Sequence, residues 1–458
     1  MGFEKLSKKE LINFVETLLK RVDVLEAKVE SLNLKVAELQ EENQILKVKK
    51  NSSNSSIAPS SDISKPNQSL REKSKLTKGG QAGHKGYTLE ISKTPDEIVS
   101  HRPSFCKKCG NNLSNIDELL VERRQVIDIP PIVPIIIEHQ SFAKICSCGC
   151  LCKGDFPSNV TAPVQYGSNV ESLIAYFSTR QYMPYMRMSE CFSDVFGLKI
   201  AQSSIANAIS RFARKAEPIY EKIKEKVKNA EVKGSDETGA VVNGKKAWYW
   251  VWQTSLLTYI SFNKSRGFDA ISSVFPENFH HKTLVSDCWA AQLKVKAKIH
   301  QICTAHLRRE LNYFIDSTKS KWAFEMQKLI SDAIELDNQL ENYEIPNQKR
   351  ISLQIRLNRL LDIVQYAKFD KLKAFQKRLQ KHKEKILPFL YSKNIPPDNN
   401  ASERAIRNIK VKQKISGQFV SEQKAIDFAI IRSIIDTAIK NEIAIFDSLK
   451  LIAQISPE

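Results

Sequence analysis

The sequence lacks any uninterrupted stretch of about 18 apolar residues, so it predicts no transmembrane helix. Its first residues, Met-Gly-Phe-Glu-Lys, contain no apolar signal core, and Leu6 stands where an N-myristoylation signal requires Ser or Thr. We therefore expect a cytoplasmic protein without a membrane partner. Thiols stay reduced in that compartment, so the nine cysteines are not expected to form structural disulfides.

Acidic residues are few relative to basic ones. The chain has 51 Asp and Glu residues against 70 Lys and Arg residues, which gives a formal net charge of +19. A surplus of this size favours binding to a phosphate backbone through counterion release, although a solvated basic surface is the simpler alternative. We expect nucleic acid as the partner. The length of 458 residues is enough for roughly two to four domains.

A heptad repeat runs through the N-terminal region. Leucine recurs every seven residues over 11–46, and valine recurs in the offset register over 15–36, with Asn43 continuing it. β-Branched residues at a with Leu at d favour a parallel two-stranded coiled coil, and a single a-position Asn fixes its register. The alternative is one amphipathic helix packed on its own domain, which usually shows a broader apolar stripe. We predict a dimerising coiled coil over residues 1–50, with a homodimer or higher oligomer as the consequence.

The amino-acid composition of the chain changes after the heptad repeat. Residues 51–95 are rich in Ser, Asn, Gly and Lys and bury too little apolar surface to offset chain entropy, so they predict a flexible basic linker.

Two cysteine pairs follow, and together they predict a zinc-ribbon-like module over 96–160. The proposed ligands of one structural Zn²⁺ are Cys106, Cys109, Cys146 and Cys148. Cys150 or Cys152 could replace one of the second pair, and reduced, metal-free cysteines remain the alternative. The segment 124–139 between the pairs has strand character.

Residues 161–229 predict a helical domain. A short amphipathic helix over 188–196, a turn at Gly197 and a second helix over 201–214 give the order of a helix-turn-helix, whose second helix enters the major groove. A helical domain that only packs fits the pattern equally well. The residues that would face the groove are Ser203, Ser204, Asn207 and Arg211.

The elements that follow have the order β-β-β-α-β, which is that of a ribonuclease-H-like domain. Strands 230–236 and 282–287 each end in Asp, and these first and fourth strands are neighbours in such a sheet. We predict a mixed α/β fold with a catalytic core over 230–317, a helical insertion over 318–392 and C-terminal helices over 393–458.

Three carboxylates stand out in this region: Asp236, Asp287 and Glu403, the last in the first turn of a basic helix. Oxygen ligands hold the ions of a two-metal phosphoryl-transfer site, where the ions clamp the attacking and leaving oxygens of a phosphodiester. Each acid alone could be a loop or capping residue, but the three together in this strand order predict catalysis. We expect two Mg²⁺ ions, with Asp236 bridging them and Mn²⁺ as a substitute.

Five cations follow the third acid in the sequence. They are Arg404, Arg407, Lys410, Lys412 and Lys414, and we expect them to position the phosphate backbone rather than read bases, a solvated basic face being the alternative. His306, with Arg308 and Arg309, is either a contact to a phosphate or leaving group or a structural histidine at a helix start.

These features together resemble the transposases of the insertion-sequence sixty-six family, which carry a DDE active site. The resemblance covers nearly the whole chain. It rests on the heptads, the Asn-Ser-Ser-Asn-Ser-Ser linker, the cysteine pairs and the motifs at 79–86, 124–130, 236–239, 300–309 and 398–407. One departure is that the second cysteine pair is Cys-x-Cys within a cluster of four, which leaves open the choice among them.

The resemblance implies that Asp236, Asp287 and Glu403 are the catalytic triad. It further implies a Mg²⁺-dependent transposase that binds terminal inverted repeats, nicks the element ends and joins the freed 3′-hydroxyls to target DNA, with accessory transposition proteins as potential partners. A non-catalytic DNA-binding regulator and a structure-specific nuclease on the same fold are the competing hypotheses. The carboxylates argue against the regulator, and the dimerising and DNA-reading modules argue against the nuclease.

Overall fold

The computed structural model describes residues 7–47, 54, 89–277, 279–343, 347–363 and 370–455, so most of the linker predicted over 51–95 lies outside the described residues.

The N-terminal segment is one continuous helix, α1 (Lys8–Lys47), as the heptad repeat requires. Its seam is open to solvent over the described side chains. Leu25 at a d position is 58 % exposed, and Val29 at an a position is 56 % exposed. An apolar seam of this kind on a single helix gains stability only by packing against another surface. Pairing with a second copy stays a prediction.

The cysteine-rich module holds a short antiparallel hairpin of β1 (Ala143–Ile145) and β2 (Leu151–Lys153). The strand character predicted for 124–139 is wrong in this structure, because none of these residues pairs with a described strand. Their apolar side chains are exposed, Ile136 at 94 %. β-Branched residues favour extended backbone, but a strand also requires a neighbour that accepts and donates its backbone hydrogen bonds.

A five-stranded mixed sheet forms the centre of the molecule. Its strands are β3 (Val232–Val242), β4 (Lys245–Gln253), β5 (Thr258–Asn263), β6 (Phe279–Ser286) and β7 (Ala297–Ile302). They lie in the order β5-β4-β3-β6-β7, with β3, β4 and β5 antiparallel and β3, β6 and β7 parallel. Helix α5 (Phe268–Val274) connects β5 to β6, so the predicted β-β-β-α-β order is confirmed.

Two details of the sheet differ from the expectation. The first strand continues six residues beyond Asp236 to Val242, because it stays paired with β4 after it leaves β6. Strand β7 was not predicted, since Ala-Lys-Ile-His-Gln-Ile is short and half polar. Its last three residues are buried because other parts of the fold pack against them, and not because the strand is apolar in sequence.

Helices α2 (Ser168–Ala175), α3 (Tyr185–Phe196) and α4 (Gln202–Asn229) precede the sheet. Gly197 ends α3 in the left-handed conformation, with φ of 64°, which gives the predicted turn. The second helix does not end at Arg214, as was predicted, but runs to Asn229. Its apolar stripe continues through Ala216, Tyr220, Ile223 and Val227.

These helices share one core with the sheet. Phe212 of α4 lies in the same buried cluster as Trp250 and Trp252 of β4 and Ile431 of α12 (Glu422–Lys440). The segment 161–229 is therefore not packed as a separate unit, contrary to the predicted domain division.

The predicted insertion is helical. It contains α8 (Lys321–Gln339), α9 (Gln348–Asp362) and α10 (Asp370–Lys381), which pack with α7 (Thr304–Thr318) around a second core. The other α-helices of the described ranges are α6 (Ala290–Leu293), α11 (Asn400–Ser416) and α13 (Ile445–Ala453). Helix α11 packs on β3 and β4 through Ala405 and Ile409. Every helix within the described ranges is too short or too polar to cross a bilayer.

Candidate active site

Asp236 and Asp287 lie where two parallel strands separate. Strands β3 and β6 pair from Val232 opposite Thr283 to Ser235 opposite Ser286. Asp236 is the next residue of β3, and Asp287 directly follows the end of β6. Burial raises the pKa of Asp236 well above its usual value, and the carboxylates of Asp287 and Glu237 raise it further. The site thus concentrates negative charge in a partly buried place that a cation would stabilise.

Glu403 reaches the same edge of the sheet through the start of α11. The buried side chain of Asn399 donates from Nδ2 to the carbonyl oxygen of Ser235 at 2.7 Å, and its backbone N–H donates to Cys303 Sγ at 3.2 Å. The hydroxyl of Ser402 donates to Asn399 Oδ1 at 2.6 Å. These bonds fasten the first turn of α11 to the residue before Asp236 and to the residue after β7.

His306 and Arg309 bridge the second and third acids. His306 Nδ1 is 2.8 Å from Asp287 Oδ1, and its Nε2 is 3.7 Å from Glu403 Oε1. Arg309, one turn later on α7, forms an ion pair with Glu403 and lies 3.2 Å from His306 Nε2. Burial opposes the charged form of His306, yet Asp287 and a hydrogen bond with Cys303 raise its pKa well above the usual value.

The sequence left two interpretations of His306 open, a contact to a phosphate or leaving group and a structural histidine. It indicated Arg309 only as a neighbour of His306, so neither contact with the acids was predicted. Cys303, His306 and Arg309 recur every three residues, a spacing that places side chains on one face of a helix. That spacing was the sequence signal that could have grouped these three residues. No local pattern indicated the partners of these side chains, because Asp287 lies directly after β6 and Glu403 lies on α11.

The carboxylates fit a divalent cation. Asp287 Oδ1 is buried and receives no well-directed hydrogen bond, even though His306 Nδ1 is near it. Among the described residues, the ligand atoms of Asp287, Cys303 and His306 also lie within 4.8 Å of one another. The Cys303 sulfur already accepts from Asn399, and a thiol suits a softer metal than Mg²⁺. Carboxylate oxygens are the ligands that Mg²⁺ prefers, so the predicted acids suit it better than this trio.

The basic residues of α11 separate into two groups. Arg404, Arg407 and Lys414 are exposed. Lys410 donates to the carbonyl oxygen of Gly239 at 2.8 Å, and burial lowers its pKa. Lys412 is only 8 % exposed, and burial lowers its pKa to about 8. Its predicted contact with phosphate therefore conflicts with the structure, because its position on the helix points into the core.

The predicted groove-facing residues of α4 also differ from one another. Ser203 and Asn207 are exposed and Ser204 is half-buried. Arg211 instead pairs with the buried carboxylate of Glu171 at 3.1 Å, which Lys215 also contacts at 2.9 Å.

In each cysteine pair, one thiol accepts hydrogen bonds from residues that are close to it in the sequence. Backbone hydrogen bonds from Cys109 and Lys108 lower the pKa of Cys106, and bonds from Cys150 and Cys146 lower that of Cys148. Lowered pKa values favour the thiolates that bind zinc. Within the described residues, no three of these sulfurs lie within 4.8 Å of one another.

A mixed α/β domain with clustered carboxylates, preceded by paired cysteines, fits an enzyme that processes nucleic acid. The Transposase IS66 family matches residues 163–426, which is more than half of the chain, and the chain belongs to that family. The zinc-finger binding domain of transposase IS66 matches residues 103–149, and a family of unknown function matches residues 4–90. No curated protein matched the chain.

The first match agrees with the structure, and the second agrees with the predicted cysteine ligands. The match over 163–426 begins before α2 and extends into α12, so it includes the helices that share a core with the sheet as well as all three acids. The chain also has a zinc-finger-like domain, and its match contains the four cysteines predicted as ligands but ends before Cys150. Family membership implies a DNA-binding enzyme.

Proposed function

We propose that this protein is a DDE-type transposase of a bacterial insertion sequence. It binds the terminal inverted repeats, cleaves the element ends by metal-dependent phosphoryl transfer and joins the 3′-hydroxyls to target DNA. The observation that carries the proposal is the parallel register of β3 and β6, which brings Asp236 and Asp287 to one point. The strand order supports a ribonuclease-H-like core over 230–317, with the insertion over 318–392 and the C-terminal helices over 393–458 completing it.

Asp236, Asp287 and Glu403 would hold two Mg²⁺ ions, or Mn²⁺ in their place. Ions bound there would lower the pKa of the attacking nucleophile and would neutralise the leaving 3′-oxygen. The chain prepares these ligands with its own side chains. His306 holds Asp287 in place, and Arg309 holds Glu403. Both carboxylates are thereby kept apart and oriented before DNA binds.

The exposed cations of α11 position the DNA. Arg404 and Arg407 follow Glu403 on the same helix and contact phosphates of the end that enters the site. Lys414 extends this basic surface, whereas Lys410 is held by the carbonyl oxygen of Gly239. Ser203, Ser204 and Asn207 at the start of α4 contact the end in the groove, whereas Arg211 orders α4 through Glu171.

The N-terminal modules assemble and orient the complex. Residues 1–50 pair two copies as a coiled coil, the segment 51–95 links them to the rest, and the module over 96–160 holds one Zn²⁺ through Cys106, Cys109, Cys146 and Cys148. Bringing the two cysteine pairs together around the ion would supply the four thiolates of a structural site.

Incubation of a labelled element end with unlabelled target DNA and Mg²⁺ tests the proposal. The expected product is the labelled end joined to target DNA. Cleavage without joining would favour the structure-specific nuclease, and binding without cleavage would favour the DNA-binding regulator.

A further inference from the structure

Cations and indole rings alternate in a row beside the proposed catalytic acids. The Nζ of Lys246 lies 5.7 Å from the ring centre of Trp248, and the guanidinium carbon of Arg266 lies 4.9 Å from the same ring. On its other side Arg266 lies 3.9 Å from the ring centre of Trp289. The proposed catalytic roles use none of these four residues.

The row is rigidly anchored. Arg266 donates from Nε and one terminal nitrogen to Glu237 Oε1, at 2.9 and 2.7 Å. The other oxygen of Glu237 accepts from Gln292 Nε2 at 2.8 Å. Because both oxygens of the buried Glu237 carboxylate are hydrogen-bonded, this carboxylate fixes the plane of the Arg266 guanidinium. The fixed guanidinium then supports the ring of Trp289.

The position of the row relates it to the cleavage site. Glu237 directly follows Asp236, and Trp289 lies two residues beyond Asp287. Glu237 and Trp248 belong to the opposite face of the sheet from Asp236, since Glu237 pairs with Trp250 and Gly239 pairs with Trp248. Asp236 and Glu237 are the two consecutive residues at which β3 leaves β6, so the row begins beside the acids along the chain.

Exposure distinguishes this row from core packing. Trp289 is 39 % exposed, and the side chain of Arg266 is 41 % exposed. An indole supported on one side by a fixed guanidinium offers a π-surface on which a base can stack. Its neighbouring cations suit the phosphates on either side of that base.

Building on the proposed transposase function, we propose that Trp289 and Arg266 form a stacking site for one unpaired nucleotide of the element end, adjacent to the scissile phosphate. Lys246 and Trp248 extend the site along the strand. A base that leaves the duplex gives the acids access to the phosphate beside it, and stacking on Trp289 offsets part of the cost of unstacking.

Photocrosslinking tests binding without needing catalysis. The full-length protein is bound in Ca²⁺ to element ends that carry 5-iodouracil at single positions flanking the scissile phosphate. The expected result is a crosslink to Trp289, identified by mass spectrometry, at one or two adjacent positions only. Crosslinks spread over all positions, or none at Trp289 in a complex that forms normally, would overturn the proposal.

Cleavage kinetics provide the second measurement. Trp289→Ala is expected to slow cleavage of a fully paired end by roughly 5- to 150-fold, the range for loss of one base–aromatic stack. Trp289→Phe is expected to recover most of that loss. An end that is already mismatched at the crosslinked position is expected to show a smaller defect, because its base leaves the duplex more readily.

A matched control uses Tyr391, another exposed aromatic ring beside an arginine, whose centre lies 5.4 Å from the guanidinium carbon of Arg350. Tyr391→Ala is expected to cleave at the wild-type rate. Equal defects of Trp289→Ala on paired and mismatched ends would show a general structural role and overturn the stacking site. If wild-type protein crosslinks through Trp289 but never cleaves, the stacking site stands and the proposed catalysis fails.

Discussion

Asn399 Nδ2 donates a hydrogen bond to the carbonyl oxygen of Ser235 across 2.7 Å. This single contact joins the residue before the first predicted catalytic acid to the cap of the helix that carries the third. The same amide also accepts from Ser402 within its own turn. The relative position of Asp236 and Glu403 therefore depends on a buried side chain that belongs to neither acid.

Replacing Asn399 by Ala is expected to impair the site and the fold together. The carbonyl oxygen of Ser235 and the hydroxyl of Ser402 would lose their partner, at a cost of about 1–3 kcal/mol for a buried unsatisfied group. Chemical denaturation and end-cleavage assays measure the two effects. Asn441→Ala is the control, since Asn441 Nδ2 donates to the carbonyl oxygen of Leu256 at 2.8 Å in an exposed position. Equal loss of cleavage in both variants would contradict a specific role for Asn399.

Alanine at Asp236, Asp287 or Glu403 is expected to abolish cleavage and strand transfer and to leave end binding largely intact. The acids would hold ions, whereas affinity for DNA comes from cations that contact phosphates. Removing an acid also relieves repulsion toward the phosphate backbone. Gel-resolved cleavage paired with a binding assay measures both properties. Wild-type cleavage by any one of these variants would show that its residue is not an essential ligand.

Arg404→Ala and Arg407→Ala are expected to weaken end binding and to lower its salt dependence. Each lost phosphate contact should reduce the slope of log K against log salt by about 0.9. Titrations at several salt concentrations measure the slope. Lys412→Met provides the comparison, because Lys412 is buried and its replacement should leave the slope unchanged. A reduced slope for Lys412→Met alone would reverse this assignment.

One Zn²⁺ per chain is expected in the purified protein. Metal analysis of Cys106→Ala, Cys109→Ala, Cys146→Ala and Cys148→Ala should show loss of zinc, whereas Cys150→Ala and Cys152→Ala should retain it. Because thiolates bind the metal, affinity should fall as pH falls. Full retention in Cys148→Ala together with loss in Cys150→Ala would move the fourth ligand to Cys150.

The full-length protein is expected to sediment as a dimer or a multiple of it through α1. Substituting Glu for both Leu25 and Leu32, at successive d positions, should dissociate it, because two charges would have to be buried in each seam. Leu34→Glu is the control, since Leu34 is also exposed but lies off the seam. Dissociation by the control alone, or an unchanged mass in the double variant, would exclude the predicted register.

Several features followed from the sequence because they depend on neighbours along the chain. Heptad spacing fixed the continuous helix α1, Gly197 predicted the turn after α3, and the order of apolar strands predicted that Asp236 and Asp287 would lie side by side. Periodicity reports which face of an element is apolar, and strand order limits the ways in which a sheet can form.

Only the tertiary structure decided the remaining contacts, because they join residues far apart in the chain. His306 meets Asp287, Arg309 meets Glu403, and Arg266 stacks on Trp289, although no local pattern pairs them. Burial of Lys412 and the pairing of the half-polar strand β7 are likewise set by what packs against them. The sequence by itself determined the continuous helix α1, the order of the first four strands of the sheet and the order of the acids. Their environment arose from packing, whose free energy belongs to surfaces that form only when the chain has folded.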